Sequence, residues 1–578
     1  MRNKKIAIIT LGPNAPSGIK VLSPSPYSLT SYLNWRCKNE GIVNYSIDPM
    51  VFEPADSIDE IFQTLVDGKY DLIAFSLYIW NSDELIKVAR SIKSKLPETV
   101  IVFGGPQVSP IARDVINEYE FLDIIPYVTV PGEIIFFNIV KAILFENSMD
   151  TVPNIYYRNN GIIEKTEEVK EKLDFESIPS PYLDGTIEFE KGKKYLTIIE
   201  SSRGCPFDCA YCFWGTGSKK MNYYSTDKTV EEIRLIYTNP SVSEVYFADS
   251  DFLIRPTRAV EILKAIIKYG GKRVISSFEI DSSQIKENKK EAVLLLSQLP
   301  ECKITYAIQT TTPKALDLIG HRASKENFKR SAALVRSWVP DIEIYVDAIL
   351  PLPGDTLEGF FQTIDFAMEL KPTRITVNYP LFLLPGTTYF DKKDSLGMRY
   401  TPAPNYNVIE TNEFPKKDVE VAFKVGVWVL ALTYYLPSIS DFFYSVSEDS
   451  ISNERISRLR RWITGIEKEL SVFENHEDLV DELTKSVSTL NRIKGAALTK
   501  ICTPSSVCKI MEVIISIENN VGSSLLSDLK KDLDLFNEIN QKSLNKSDPY
   551  SEVREGIKGG QDKIELSRKL PRFHFHEK

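Results

Sequence analysis

The chain has 578 residues, 43% of them hydrophobic and 26% charged, with a formal charge of −9. At roughly 150 residues per domain this is several domains of ordinary globular composition, which excludes a small module, a disordered chain and a fibre. A net acidic chain lacks the broad basic face that duplex binding needs, so nucleic acid is not an expected partner.

The basic start Met1–Lys5 precedes an apolar run of only Ile6–Leu11, too short for a secretory core. The longest later apolar stretch, Val425–Leu436, is too short to span a bilayer. The expectations are a cytoplasmic location and no membrane. Residues 1–147 alternate strand and helix patterns. Strands are predicted at 5–11, 43–47, 70–77, 99–103 and 122–127, with helices at 27–39, 57–66, 82–96 and 109–119. This predicts a doubly wound α/β domain, whose ligands sit beyond the carboxyl ends of its strands. Residues 148–194, rich in Pro, Asn, Gly and charge, predict a linker with a small hairpin.

The β/α rhythm resumes over 195–404. Strands are predicted at 196–200, 244–248, 274–279, 303–308, 343–349 and 374–379. Helices are predicted at 228–237, 256–269, 288–298, 313–319, 324–337 and 357–370. Such units fit a partial or full β/α barrel with its chemistry at the strands' C-terminal ends. Residues 405–578 predict a helical domain, with segments near 416–436, 453–470, 477–493 and 522–542. Its aromatic residues Trp428, Tyr434 and Tyr435 read as core.

Seven cysteines stand at 37, 205, 209, 212, 302, 502 and 508, an odd set that does not read as a disulfide framework. Three of them share one loop after the first barrel strand, in Ser202-Arg-Gly-Cys205-Pro-Phe-Asp-Cys209-Ala-Tyr211-Cys212. Three thiolates on a four-iron cube leave one iron open for a substrate or cofactor. Structural zinc needs a fourth ligand, and no His or further Cys lies nearby. Cys502 and Cys508 read as structural, and Cys37 and Cys302 as core thiols. Only four histidines occur, at 321, 476, 574 and 576.

The CxxxCxxC spacing, with Tyr211 before the third cysteine, resembles the radical S-adenosylmethionine (SAM) superfamily. The resemblance implies a [4Fe-4S] cluster on Cys205, Cys209 and Cys212. Its open iron would chelate SAM, which is cleaved to a 5′-deoxyadenosyl radical that abstracts hydrogen from an unactivated carbon. It also implies SAM contacts from Tyr211 and, at later strand ends, from Asp249, Asp251, Glu279 and Gln309. The stretch Asp347–Gly354 is similar to the family's turn near the adenine. His321, in Gly320-His321-Arg322, reads as local packing or solvent-facing.

An α/β domain ahead of such a barrel resembles the cobalamin-binding branch, and this resemblance covers residues 1 to about 400. It implies that cobalamin faces Ser76, Tyr78, Trp80 and Asn81, then Gly104, Gly105 and Gln107, then Gly132 and Glu133. Glycines there would let the backbone approach a flat corrin. With no histidine before position 321, a histidine cobalt ligand from this domain is excluded. Trp80 or a neighbour would cover the lower face.

The resemblance implies a cobalamin-dependent radical SAM methyltransferase acting on an unactivated carbon or a phosphinate, with methylcobalamin as donor. The alternative keeps both cofactors but performs a cyclisation, ring contraction or rearrangement. A methylthiotransferase needs three further cysteines in the first domain, where only Cys37 stands. A non-catalytic cobalamin sensor has no use for an open iron. The expected partners are a small-molecule or peptide substrate and an electron donor such as flavodoxin or ferredoxin.

Overall fold

The structure is a computed structural model that describes residues 3–15, 18–128, 132–170, 174–214, 219–320, 323–447, 452–473, 479–485, 487–518 and 523–542. The four histidines lie outside these residues, as does the reading of His321.

The chain opens with β1 (Lys4–Leu11), whose apolar residues from Ile6 onward are all buried. That pattern marks a parallel strand covered on both faces. β2 (Ile19–Leu22) follows, then β3 (Tyr45–Phe52), β4 (Leu72–Ser76), β5 (Val100–Gly104) and β6 (Ile124–Pro126). The hairpin β7 (Ile155–Asn159) and β8 (Ile162–Lys165) lies within the predicted linker. Seven of these strands form one sheet in the order β3-β1-β4-β5-β6-β7-β8, parallel except at β6-β7-β8.

Strand alternation sends Ala7 and Ile9 to one face and Ile6 and Ile8 to the other. Helices Ile58–Gly68, Ser82–Lys95 and Ala112–Glu118 cover the first face. Helices Pro24–Glu40 and Gly132–Leu144 cover the second. The helix Ile58–Gly68 opens on a full capping box, in which Ser57 and Glu60 satisfy each other's backbone donors. Helix Gly132–Leu144 has no counterpart in the predicted elements. It is apolar nearly all round, so it carries no helical period to read.

β2 leaves the first sheet altogether. It pairs in parallel with β9 (Lys194–Ile199), the first barrel strand, through Ile19–Lys194 to Leu22–Thr197. A four-residue strand joined to a partner 175 residues away leaves no local sequence signal.

The second unit contains β9, the short pair β10 (Ser202–Arg203) and β11 (Asn222–Tyr223), β12 (Val242–Phe247), β13 (Ile275–Phe278), β14 (Lys303–Gln309), β15 (Glu343–Ile349) and β16 (Arg374–Asn378). Its wall is two parallel sheets, β13-β12-β9-β2 and β14-β15-β16. The fold is a partial β/α barrel, with β2 and β16 at its two open edges. The six predicted barrel strands agree with those observed within two residues at each end, whereas the predicted strand 43–47 of the first unit runs Tyr45–Phe52.

The C-terminal helices share one core with β14, β15 and β16. Helix Lys416–Leu430 packs Gly426 against Val377 of β16. It passes into a π-helical turn at Ala431–Tyr435, where the Thr433 hydroxyl accepts from the Ile375 amide at 3.2 Å. Trp428 is fully buried. The predicted segment 477–493 is two helices, Leu479–Leu483 and Val487–Ile501, and the Cys502–Cys508 stretch opens a further helix, Pro504–Ile517. All seven cysteines are free, with Cys37, Cys502 and Cys508 buried. No single described helix is long and apolar enough to cross a membrane. The bent pair Lys416–Tyr435 and Pro437–Tyr444 meets that test by length and composition, and most of its residues are buried in the core.

Candidate active site

The cysteine loop is framed before it is filled. β10 and β11 pair through Ser202–Tyr223 and Arg203–Asn222, closing the base of the loop. In its middle, the Ala210 amide donates to the Ile319 carbonyl at 2.9 Å and its carbonyl accepts from the Tyr389 amide at 2.8 Å. A turn brings the Cys212 amide onto the Cys209 carbonyl at 2.9 Å. Cys205 is buried, and Cys209 and Cys212 are partly so. Burial first, then the neighbouring Cys212 and Cys205, push the Cys209 thiol up to about 12. Burial also raises Cys212.

No three Cys, His, Asp or Glu side chains among the described residues converge on a single ion. Three thiols that face one another without a counter-charge, and without meeting at one point, fit a donor set for a wider cluster with irons at separate corners.

Tyr211 is half-buried beside Cys209 and Cys212 and reaches the Gln309 side chain. Gln309 ends β14 in a left-handed conformation, φ +57°, at a break in the β14–β15 register. Its Oε1 is buried without a partner. Strain at a strand end and an unanswered acceptor together mark a place for a ligand. Asp249 is similar. Its Oδ1 accepts from Ser202 and, at 3.1 Å, from Ser201, while Oδ2 has no partner. Burial lifts its carboxyl to about 6 against the pull of those hydroxyls. Glu279 is exposed and accepts from the Tyr246 hydroxyl at 2.9 Å.

Asp251 is buried. Its Oδ1 accepts from the Leu253 amide at 3.1 Å and the Asp281 amide at 3.3 Å, so it ties two loops together.

On the first sheet, the loops after β4 and β5 lie side by side. The Leu77 amide donates to the Gly104 carbonyl at 2.8 Å. A Cβ at Gly105, where φ is +106°, would stand 2.5 Å from the Leu77 carbonyl oxygen, so only glycine lets the loops meet. At Gly104 and Gly132 a Cβ would meet nothing within 4 Å. Such backbone open to space suits the approach of a flat ring. Trp80 stacks on Tyr78 at 4.6 Å and 8°, donates to the Leu11 carbonyl at 3.2 Å, and remains 40% exposed.

Three expected cobalamin-facing side chains are engaged elsewhere. Asn81 is fully buried. Its Oδ1 accepts from the Tyr78 amide, and its Nδ2 donates to Thr10, Leu11 and Ser76. It holds the loops after β1 and β4 together rather than facing outward. Gln107 donates to the Pro404 carbonyl across the two units. Glu133, at the start of helix Gly132–Leu144, forms a 2.6 Å ion pair with Arg203 of β10. Ser76 is buried beside Tyr78.

Arg203 stands two residues before Cys205 and also pairs with Glu200 at 2.7 Å, which accepts in turn from Tyr224 at 3.1 Å. Burial works to raise the Glu133 carboxyl, but the Arg203 guanidinium outweighs it and holds the acid below its usual range. The motif reading carried Arg203 without giving it a role. A charged residue beside a cluster cysteine was the available signal, but its partner lies about 70 residues upstream.

Comparison with known proteins agrees with this geometry. Residues 199–367 match the radical SAM superfamily and residues 37–136 match the B12 binding domain. The chain thus carries a radical SAM domain and, ahead of it, a B12-binding domain. The radical SAM domain implies a [4Fe-4S] cluster and SAM, and the B12-binding domain implies cobalamin.

Among curated relatives, the chain is 25% identical over 391 residues to the cobalamin-dependent radical SAM methyltransferase TokK of Streptomyces tokunonensis, covering 61% of this chain and 56% of that one. It is 23% identical to the anaerobic magnesium-protoporphyrin IX monomethyl ester cyclase of Cereibacter sphaeroides, covering 63% and 60%. The chain thus spans little more than half the length of such relatives. In fold it is similar to the cobalamin-dependent SAM radical enzyme OxsB with aqua-cobalamin bound. That match has a TM-score of 0.58 at 16% identity and covers 93% of this chain and 84% of that one.

Proposed function

We propose that the chain is a methyltransferase that moves a methyl group from cobalamin to an unactivated carbon, or a phosphinate, of a small molecule or peptide. The observation that carries this reading is the Glu133–Arg203 ion pair at 2.6 Å. It holds the loop proposed for the corrin directly against the loop proposed for the cluster. A substrate between them is within reach of both reacting groups, and such orientation supplies much of the rate.

In this reading Cys205, Cys209 and Cys212 hold the cluster. Tyr211, Asp249, Glu279 and Gln309 face SAM, and Asp251 shapes the loop behind them. The Gly104–Gly105 loop, Gly132, Ser76 and Tyr78 cradle the corrin, with Trp80 against its lower face. Asn81, Gln107 and Glu133 fix those loops in place. When bound, the cluster and SAM supply the hydrogen-abstracting radical, and cobalamin supplies the methyl group. The chain's own part is to orient the groups and keep water away. The electron donor would be a flavodoxin or ferredoxin.

The likeness to the ester cyclase favours a second reading, cyclisation or rearrangement with the same cofactors. The test is anaerobic reconstitution with iron, sulfide and hydroxocobalamin, followed by desalting. About four irons and one cobalt per chain, with 5′-deoxyadenosine formed from SAM under reduction, supports the cofactor reading. Labelled methyl from SAM in a product separates methylation from cyclisation. Iron without retained cobalt removes both readings.

A further inference from the structure

One wall of the barrel lumen carries a charged group whose cations, Arg374 and Lys494, the cofactor reading does not use. Ile344, Val346, Ile375 and Val377 belong to the core outside the wall. Alternation therefore turns Tyr345 and Asp347 of β15, and Arg374 and Thr376 of β16, into the lumen. The register pairs Tyr345 with Arg374 and Asp347 with Thr376. The Arg374 guanidinium lies over the Tyr345 ring, 4.2 Å from its centroid. From helix Val487–Ile501, Lys494 comes near enough for Asp347 and Arg374 both to act on its charge. Burial pushes the Lys494 ammonium down, and Arg374 adds to that.

The group is unfinished as it stands. Asp347 Oδ1 and Arg374 Nε are buried without a hydrogen-bond partner, while Thr376 and Asn378 stand close enough to favour the Asp347 carboxylate. Among the described residues, neither Arg374 nor Lys494 is within ion-pair distance of an acid. Arg374 and Lys494 share this spot with Asp347, while the Tyr345 hydroxyl donates to Glu343 at 3.0 Å and Lys303 lies 5.9 Å from the Tyr345 ring. A network built only for stability would close its pairs, because buried unpaired groups are costly. A net positive, unsatisfied pocket on the inner wall is complementary to an anion, and arginine's fork suits carboxylate or phosphate.

Its depth is also informative. Gln309 pairs with Ala348, three residues along β15 from Tyr345, the partner of Arg374. At about 3.3 Å per residue, Arg374 lies about 10 Å below the Gln309 level.

We propose that Arg374 and Lys494 bind the acid group, carboxylate or phosphate, of the substrate, with Asp347 and Thr376 engaging a polar group beside it. Anchored there, a substrate presents its reacting carbon about 10 Å higher, at the barrel mouth. The proposal rests on the cofactor reading above for what happens at the mouth. It adds the substrate class, a small molecule with an acidic end.

The test is isothermal titration of the reconstituted full-length protein, with SAM present, using inorganic phosphate and acetate as probes at low salt. Arg374→Met, Lys494→Met and Lys500→Met are compared with the wild type. Lys500 is an exposed residue on the same helix, whose ammonium donates to the Ser471 carbonyl. The expected result is saturable binding at one site, weakened at least about tenfold by either of the first two changes and untouched by the third. Phosphate binding alone assigns a phosphoryl group, and binding of both anions a carboxylate. Either result upholds the site. Lys494→Arg, which keeps the charge, restores binding if Lys494→Met fails to fold. No saturable binding of either anion, or binding unchanged by both substitutions, overturns the proposal. SAM cleavage in the same samples separates the two readings. Its absence in the wild type sinks the cofactor reading, whereas unchanged anion binding with cleavage intact sinks only the acid site.

Discussion

Arg203→Met should loosen the junction between the two loops far more than Glu133→Gln does. The arginine answers two acids, Glu133 at 2.6 Å and Glu200 at 2.7 Å, whose side chains are 7% and 33% exposed. Removing it leaves Glu133 buried and uncompensated, for which about 3 kcal/mol is a reasonable cost. Glu200 is wet enough to add little. Glu133→Gln leaves Arg203 with Glu200 and removes one charged bond, about 1 kcal/mol. The double variant should cost less than Arg203→Met alone, because no buried acid is stranded.

Hydrogen exchange on peptides from residues 132–144 and 201–211 measures this locally, where a global unfolding curve of a multidomain chain would not. About 3 kcal/mol corresponds to roughly 150-fold faster exchange through local opening, and about 1 kcal/mol to roughly fivefold. Exchange in Arg203→Met within about threefold of the wild type would refute the argument. So would a double variant as loose as the single one.

Burial lifts the Glu232 carboxyl to about 7, above its ordinary 4.5. Its contribution is therefore fully present below pH 4.5 and is lost as pH rises through 7. Glu232→Gln should gain on the wild type across that range, by about 3 kcal/mol at pH 8, in melts run from pH 5 to 8. Gly105→Ala forces a Cβ against the Leu77 carbonyl at φ +106°, which should cost about 3 kcal/mol and lower the melting temperature. Gly104→Ala meets no atom within 4 Å. It should keep the fold while lowering cobalt retention after desalting, and unchanged cobalt would remove that loop from the corrin site. Cys209→Ala should abolish cluster assembly, read as iron per chain, and full iron loading would reject the three-cysteine assignment.

The strands and cluster cysteines were legible because their signals are local. An apolar run such as Lys5–Leu11 and a spacing such as Cys205, Cys209 and Cys212 need no knowledge of distant residues. What escaped depends on distance in sequence. β2 is a strand only because β9 accepts it. Helix Gly132–Leu144 is buried nearly all round, which erases its period. Asn81 carries a residue type suited to a ligand, yet its polar atoms are taken by nearby groups, and Asp251 gives one oxygen, Oδ1, to backbone amides. Side-chain direction within a loop decides that, and sequence does not encode it locally. Lys494 sits in a helix with charges of ordinary appearance, and only the packing of that helix brings it near Asp347.

These distant ties bear on how two sites are kept in line. A chain with an α/β unit and a barrel joined by one linker would by default allow relative motion. Here the units are fastened at separate points. β2 from the first unit extends the barrel sheet. Glu133 pairs with Arg203, and Gln107 donates to the Pro404 carbonyl. Gly386 brings the barrel side against Pro110, with the Phe213 ring 3.6 Å from where its Cβ would stand. Three of these attachments adjoin loops proposed to hold a cofactor. A hinge between the units would stretch or break all of them together, so the geometry favours a fixed spacing between the two faces. Substrate entry must then use a route that leaves the ties intact.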